Sequence, residues 1–151
     1  MTPAGPLPET SDTVILHASA VAVDGAGVLI TGASGAGKSE LALQLMSLGA
    51  RLIADDRTVV HVRASGLRAT CPEAIRGMIE ARGVGILNAE PAGEAPVRLV
   101  VDLDQMETRR LPERHDAEIA GHTVRCFHKT ASRAFPAAIM QYLRSGLREP
   151  E

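Results

Sequence analysis

Short apolar runs, separated by glycine and polar residues, recur along most of the chain, and this pattern predicts a series of strands. The predicted strands cover residues 13–16, 20–23, 28–31, 51–54, 58–62, 67–70, 84–87, 97–103 and 119–127, the last of them broken near its start by Gly121. The turn residues at 24–27 close a hairpin between the second and third strands, and Gly66 separates a second antiparallel pair.

Helical spacing replaces this pattern in two long segments. Over residues 38–48 leucines recur at helical spacing, and Gly49 ends the predicted helix. Over residues 131–147 five apolar side chains fall on one face and give the clearest amphipathic helix: Phe135, Ala138, Ile139, Tyr142 and Leu143. A short helix is predicted at 72–79, a loop at 90–96 and a charged, exposed loop at 109–116. Strands and helices in this order predict an α/β fold.

The composition suits one soluble globular domain, with 151 residues of which 45% are hydrophobic and 23% are charged. We expect a flexible leader at 1–12, a folded domain at 13–148 and a tail at 149–151. The net charge is −2 and the aromatic residues are two Phe and one Tyr, so we expect no nucleic-acid partner. No signal peptide and no membrane-spanning apolar run is apparent, so the expected location is the cytoplasm, with no membrane partner.

The two cysteines, Cys71 and Cys126, lie far apart and form no C-x-x-C pair, and no histidines cluster along the sequence. This spacing predicts neither a zinc site nor a disulfide framework. We therefore expect both cysteines to be small, buried or half-buried residues rather than reactive thiols.

The strongest motif lies between a predicted strand and a predicted helix and has the pattern G-x-x-x-x-G-K-S: Gly32, Ala33, Ser34, Gly35, Ala36, Gly37, Lys38 and Ser39. In such a loop, backbone N–H groups converge on phosphate oxygens, the lysine contacts the outer phosphates and the serine hydroxyl can hold Mg²⁺. The helix that begins at the loop adds the positive end of its dipole. The motif predicts a nucleotide-binding site.

Two aspartates are the first candidates for chemistry on a phosphoryl group. Asp55 and Asp56 end a predicted strand sixteen residues after Ser39, which returns them to the phosphate loop. A carboxylate there can accept a proton from an attacking hydroxyl or hold the magnesium shell. A helix N-cap or a pair of solvated loop charges is the alternative interpretation.

A third cluster runs from Ile79 to Asn88. In it, Glu80 could supply a second magnesium ligand, and Arg82 could offset the charge that develops on a transferring phosphoryl group. An ordinary helix end with a surface ion pair would have the same pattern, so spacing alone leaves both interpretations open.

Taken together, these stretches resemble the catalytic domain of HPr kinase/phosphorylase. The stretches that carry the resemblance are Leu16-His17, the phosphate loop with its following Glu40, Leu52 to Asp56, and Ile79 to Asn88. That family phosphorylates a serine of HPr, the small phosphocarrier of the sugar phosphotransferase system, and many members reverse the step with inorganic phosphate. The resemblance runs from about residue 15 to 114, with a weaker tail to about residue 133.

The resemblance implies a P-loop-containing kinase domain with a mixed central sheet and flanking helices, which uses ATP and Mg²⁺. It places Lys38 on the phosphates, Ser39 and Glu80 on magnesium, and His17 with the aspartate pair at catalytic positions, one aspartate being the base. Arg114 falls where the family carries a further active-site arginine. The implied partner is HPr, the implied role is regulation of the phosphotransferase system and carbon metabolism, and the implied assembly is a homo-oligomer, with a hexamer as the candidate.

The sequence departs from the family's pattern in three places. Only about a dozen residues precede the first strand, as in short forms that lack the separate N-terminal domain, and the chain ends soon after the final helix. Residues 128–133, His-Lys-Thr-Ala-Ser-Arg, stand where the family carries an arginine-proline-glycine-arginine stretch associated with dephosphorylation. Whether the reverse reaction is retained therefore stays open.

Two other functions also stay open at this level. A small-molecule kinase or NTPase could use the same loop, although no arginine-rich lid insertion lies between the motifs. A nucleotide-sensing regulatory module could bind ATP or ADP without transferring phosphate, although such a module has no need of a base such as Asp55 or Asp56.

Overall fold

The computed structural model describes residues 12–148, which form eleven strands, two α-helices and one short 3₁₀ helix. The strands are β1 (Asp12–Leu16), β2 (Ala18–Val23), β3 (Ala26–Thr31), β4 (Arg51–Ala54), β5 (Thr58–Arg63), β6 (Gly66–Thr70), β7 (Met78–Ala81), β8 (Gly85–Asn88), β9 (Ala95–Met106), β10 (His115–Ile119) and β11 (His122–Lys129). The helices are α1 (Lys38–Ser47) and α2 (Phe135–Ser145), and the 3₁₀ helix is Glu73–Ile75.

Nine of these strands form one curled mixed sheet. At its centre β3, β9 and β11 run parallel, while β2 and β10 are antiparallel to their neighbours and β4 pairs antiparallel with β2. A meander of β1, β5 and β6 joins the sheet where β6 meets the first residues of β9, and β7 and β8 form a separate hairpin. The carboxyl ends of β3, β4, β9 and β11 therefore lie at the same edge.

Both faces of the central sheet are covered. On one face, α1 and α2 pack their apolar sides against the sheet, with Leu45 and Ile139 fully buried. On the other face, residues of β5 and β6 cover Leu29 and Val100. This two-sided burial explains why the central strands are continuous apolar runs rather than alternating ones.

The predicted helix at 72–79 is wrong. Residues 73–75 form only the 3₁₀ helix, and the chain turns at Gly77, whose φ is +75°, before it enters β7. In β7 the side chains alternate, with Ile79 buried and Glu80 exposed. Alternation over four residues places two apolar side chains, Ile79 and Ala81, in the core, as expected of a strand with one buried face.

The prediction of one strand at 119–127 and a loop at 109–116 is also wrong in part. The segment is a hairpin, in which β10 starts at His115 and a turn at Ala120 and Gly121, both with positive φ, leads into β11. Such a turn matches the twist of a tight hairpin. Strand β10 was not predicted because it is short and only two of its five side chains are apolar, both of them only half-buried.

The remaining predicted strands and helices are confirmed within four residues at each end, and the α/β fold with a mixed sheet is confirmed too. The second helix begins at Phe135, later than predicted. The predicted leader, apart from Asp12, and the tail at 149–151 lie outside the described residues. Among the described helices, none is long and apolar enough to cross a membrane.

Both cysteines are buried, as predicted. Burial raises the pKa of the Cys71 thiol. Burial, with a further contribution from the carboxylate of Asp102, raises the pKa of the Cys126 thiol to about 11. Because the thiolate is the reactive form, a raised pKa reduces the reactive fraction at any pH below it.

We predict that iodoacetamide at pH 8 alkylates Cys126 in the folded protein at least about a hundredfold more slowly than in denaturant, since the folded thiol is both less ionised and shielded. A Cys71→Ser variant isolates Cys126 for this assay, and mass spectrometry follows the reaction. Equal rates in the folded and unfolded chain would contradict the packing around β11.

Candidate active site

The phosphate loop connects the carboxyl end of β3 to the first residue of α1. Its backbone needs glycine, because Gly32, Gly35 and Gly37 all have positive φ. At Gly32 a Cβ atom would also lie 3.0 Å from the Cβ of Ala36 and 3.2 Å from that of Leu103. The sequence motif therefore has the tight, glycine-dependent conformation that lets backbone N–H groups face a phosphate.

Lys38 is buried, with 6% of its surface exposed, although it carries a cationic group. Its Nζ donates hydrogen bonds to the carbonyl oxygens of Gly32, at 2.8 Å, and Ala33, at 3.1 Å. A buried ammonium requires such partners. These hydrogen bonds hold the lysine against the phosphate loop, where it is predicted to contact the phosphates of a bound nucleotide.

Asp55 is the hydrogen-bond centre of the site. Its Oδ1 accepts from the hydroxyl of Ser39, at 2.5 Å, and from that of Ser19, at 2.9 Å. Its Oδ2 accepts from the backbone N–H of Glu80, at 3.0 Å. One carboxylate thus ties the phosphate loop, strand β2 and the β7–β8 hairpin together.

Asp56 has a different environment although it is the next residue. Its Oδ1 lies 2.8 Å from His17 Nε2, and 59% of its side chain is exposed. Its backbone N–H donates to the hydroxyl of Ser19. The N–H of Arg57 donates to the carbonyl oxygen of Asp55, and this hydrogen bond makes Asp56 the central residue of a γ-turn, with φ +70°. The turn points the two neighbouring carboxylates at different partners.

The other predicted residues lie at varying distances from this centre. The backbone N–H of Glu80 donates to Asp55, whereas the Glu80 side chain, with its carboxylate, is exposed. Arg82 lies in the exposed turn between β7 and β8. Arg114 lies just before β10 and pairs with Asp116 at 3.0 Å, and none of its contacts among residues 12–148 reaches Asp55. The structure thus joins His17, Ser39, Asp55, Asp56 and the backbone of Glu80 through hydrogen bonds that include Ser19, with Lys38 next to Ser39 in the loop. No hydrogen bond among residues 12–148 links the side chains of Glu80, Arg82 or Arg114 to this group.

Two residues of the site were not among those predicted from the sequence. Ser19 is fully buried and bonds to both aspartates, and its signal was a hydroxyl in the otherwise apolar strand Ala18–Val23. Asp104 accepts a hydrogen bond from the N–H of Ala33 in the phosphate loop, at 3.1 Å. Its signal was an acidic residue at the carboxyl end of an apolar strand, which is where a P-loop protein carries a second carboxylate.

Two histidines that are far apart in the sequence lie together in the fold. His115 and His128, thirteen residues apart in sequence, stack their rings with centroids 3.8 Å apart. The β10–β11 hairpin brings them together, and the sequence reasoning had not predicted that hairpin.

The residues of the site fit a nucleotide with Mg²⁺. The glycine-dependent loop and its buried lysine suit phosphate, since a Cβ at Gly32 would meet neighbouring side chains. The hydroxyl of Ser39 and the carboxylates of Asp55 and Glu80 are hard oxygen donors, which Mg²⁺ prefers.

Comparison with known proteins decides the family. A family model described as HPr Serine kinase C-terminal domain matches residues 9–125 of the chain. The chain belongs to this family. Two curated members are the HPr kinase/phosphorylase of Stenotrophomonas maltophilia (strain K279a), 41% identical over 111 residues, and that of Xanthomonas campestris pv. campestris (strain B100), 40% identical over 111 residues. Each match covers 68% of this chain and 35% of the relative, so the chain spans about a third of their length.

A solved structure of the family has the same fold. The structure of the Hpr(Ser) kinase/phosphatase from Coxiella burnetii superposes with a TM-score of 0.72 and 26% sequence identity. The match covers 87% of this chain and 94% of that chain. The curled mixed sheet and its two helices are therefore the HPr serine kinase fold.

We predict that Asp55→Asn lowers the free energy of unfolding by about 1–3 kcal/mol, because an amide presents one acceptor oxygen to three donors and leaves at least one of them unpaired. Urea unfolding followed by circular dichroism measures the change. Asp56→Asn is the matched control, since its exposed pair with His17 contributes no more than about 1 kcal/mol. Equal destabilisation by the two variants would contradict the central position of Asp55.

We also predict that Gly32→Ala weakens binding of an ATP analogue by at least about tenfold, because the strained φ and the contacts with Ala36 and Leu103 displace the loop. Fluorescence titration with a labelled analogue measures the affinity. Gly35→Ala is the control, because nothing lies within 4 Å of its Cβ position and only the φ is strained. A larger loss in the Gly35 variant would contradict the packing argument.

Proposed function

We propose that the chain is an ATP- and Mg²⁺-dependent protein-serine kinase that phosphorylates a serine of an HPr-type phosphocarrier protein. Membership of the HPr serine kinase family and the names of its relatives support the reaction class. The observation that carries the proposal is that Asp55 and Asp56 have different partners. Asp55 accepts a hydrogen bond from Ser39 of the phosphate loop, whereas Asp56 is exposed and lies beside His17.

Asp55 has the features of a carboxylate that holds the site together and lies beside the magnesium ion. Both of its oxygens already accept hydrogen bonds, and one of the donors is the hydroxyl of Ser39, the predicted magnesium ligand. Ser39, Asp55 and Glu80 would hold Mg²⁺, which when bound neutralises charge on the β- and γ-phosphates.

Asp56 has the features of the catalytic base. It is exposed to an incoming substrate, and one side of its carboxylate is held by His17 at 2.8 Å, which leaves the other oxygen to accept a proton. The sequence left the choice between the two aspartates open, and this geometry favours Asp56. His17 acts as a positioning residue for it.

The reaction follows from these positions. The acceptor serine oxygen attacks the γ-phosphorus of ATP, its proton passes to the carboxylate of Asp56, and the bond from the γ-phosphorus to the β–γ bridging oxygen breaks to release ADP. The backbone N–H groups of the loop and the ammonium of Lys38 bind the phosphate oxygens and offset their charge. Positioning and charge neutralisation supply most of the catalysis in such transfers.

Arg82 is proposed to offset charge on the transferring phosphoryl group, since the hydrogen bond from Glu80 N–H to Asp55 anchors its hairpin beside the loop. The role of Arg114 stays a prediction from the family. A cytoplasmic location, a homo-oligomeric assembly and the regulation of carbon metabolism belong to the same proposal, and reversal with inorganic phosphate is left open.

The test is transfer of labelled phosphate from Mg-ATP to purified HPr, with mass spectrometry to locate the modified residue. We predict label on a serine, none with Lys38→Ala, and a rate at least about a hundredfold lower with Asp56→Asn, since a general base contributes that much or more. The nucleotide affinity of Asp56→Asn stays close to that of the unchanged protein, because Asp56 does not contact the phosphate loop.

Asp24→Asn is the matched control for Asp56→Asn. Asp24 is likewise exposed, has positive φ (+50°) and pairs with a basic residue, Arg144, but it lies in the β2–β3 turn. Full activity of Asp56→Asn would refute its assignment as the base. ATP binding without label on HPr would favour a nucleotide sensor, and ATP consumption without label would favour another acceptor.

A further inference from the structure

A second group of potential metal ligands lies apart from the Asp55 site. Glu107 follows the end of β9, His115 begins β10 and His128 lies near the end of β11. Glu107 Oε1 lies 2.8 Å from His115 Nε2, and the rings of His115 and His128 stack with 11° between their planes. One ligand atom from each of the three side chains lies within 4.8 Å of the other two.

The backbone fixes this arrangement. The β10–β11 register pairs His115 with Cys126, two positions before His128, so both histidines project from the same face of the sheet. The N–H of Glu107 donates to the carbonyl of Lys129, and its carboxylate accepts from the N–H groups of Thr108 and Arg109 at 3.1 Å. All three side chains are half-buried. The ligand atoms are therefore pre-positioned by structure that needs no ion.

We propose that Glu107, His115 and His128 form a binding site for a divalent transition-metal ion of the zinc class. Two imidazole nitrogens and one carboxylate oxygen are the donor set of three-ligand zinc sites, and imidazole selects such metals over Mg²⁺. The fourth position is open to water or an anion. The ring nitrogens of His128 make no hydrogen bond in the described part of the chain that would compete for the metal.

Metal binding requires the stacked rings to separate, because an ion lies in the plane of each imidazole that binds it and these two planes are almost parallel, with 11° between them. Ligand atoms about 2.1 Å from a tetrahedral ion lie about 3.4 Å apart. The separation of 2.8 Å between Glu107 Oε1 and His115 Nε2 must therefore widen slightly, and the ion takes the place of the proton that these two atoms share. Binding releases that proton to solvent. The bound ion would fix the 107–114 loop to the end of β11.

This site is independent of the proposed kinase function, because it shares no residue with the phosphate loop or the Asp55 cluster. The residues that follow His128 reach the phosphate loop. Lys129, Thr130 and Arg133 line a cavity of about 160 Å³ together with Gly37 and Glu40. A metal at His128 would thus lie next to the segment that walls this cavity.

Calorimetric titration of zinc chloride into EDTA-treated protein tests the site, with excess Mg²⁺ present to occupy the oxygen-rich set at Ser39, Asp55 and Glu80. We predict one zinc ion per chain and at least about tenfold weaker binding in His128→Asn and Glu107→Gln. Co²⁺ is the second probe, and its strong visible absorption in the unchanged protein is expected to report a four-coordinate site with nitrogen ligands.

His61→Asn and His122→Asn are the controls. His61 faces Glu94 at 3.8 Å, and His122 lies at the opposite end of β11 from His128, so neither change should weaken zinc binding. The proposal is overturned if the unchanged protein binds no stoichiometric zinc, if the controls lose as much affinity as His128→Asn, or if the Co²⁺ spectrum is the weak one of oxygen-only coordination. The Co²⁺ spectrum decides the matter even where a variant fails to fold.

Discussion

Three separate segments of the chain meet on the carboxylate of Asp55. Strand β2 contributes Ser19, the phosphate loop contributes Ser39 and the β7–β8 hairpin contributes the N–H of Glu80. An ionised carboxylate has two acceptor oxygens and no donor, so it can accept all three of these hydrogen bonds. A neutral side chain of the same size, such as asparagine, has only one acceptor oxygen and cannot replace it. The carboxylate holds the hairpin at the N–H of Glu80, in addition to the burial of Ile79 in the core, and so helps to set the positions of Glu80 and Arg82.

The γ-turn at Asp56 converts a pair of like charges into two different groups. A positive φ in a residue other than glycine costs free energy, and the hydrogen bond from Asp56 N–H to Ser19 helps to hold it. The turn directs Asp55 inward and Asp56 towards His17, so neighbouring carboxylates have separate partners. Different environments allow two carboxylates of one site to take different roles, here the proposed magnesium side for Asp55 and the proposed general base for Asp56.

The features that lie within one short segment were predictable from the sequence. The phosphate loop, its helix and the aspartates after β4 each follow from a local pattern of glycine, charge and apolar spacing. Ser19, Asp104 and the His115–His128 stack were not predictable in this way, because strand pairing between distant segments creates them. Strand β10 alternates between half-buried and exposed residues over only five positions, with two apolar side chains, so its hairpin and the histidine cluster were missed together.

We infer that Asp55 serves the metal side of the site and Asp56 the side of the acceptor serine. A crystal structure of the protein with Mg²⁺ and a non-hydrolysable ATP analogue tests it most directly. We predict that Ser39 and Glu80 bind the magnesium ion, with Asp55 beside Ser39. Asp56 is expected outside the magnesium shell, hydrogen-bonded to His17 and facing the γ-phosphate. Asp56 in the magnesium shell, with Asp55 facing the γ-phosphate, would refute this assignment.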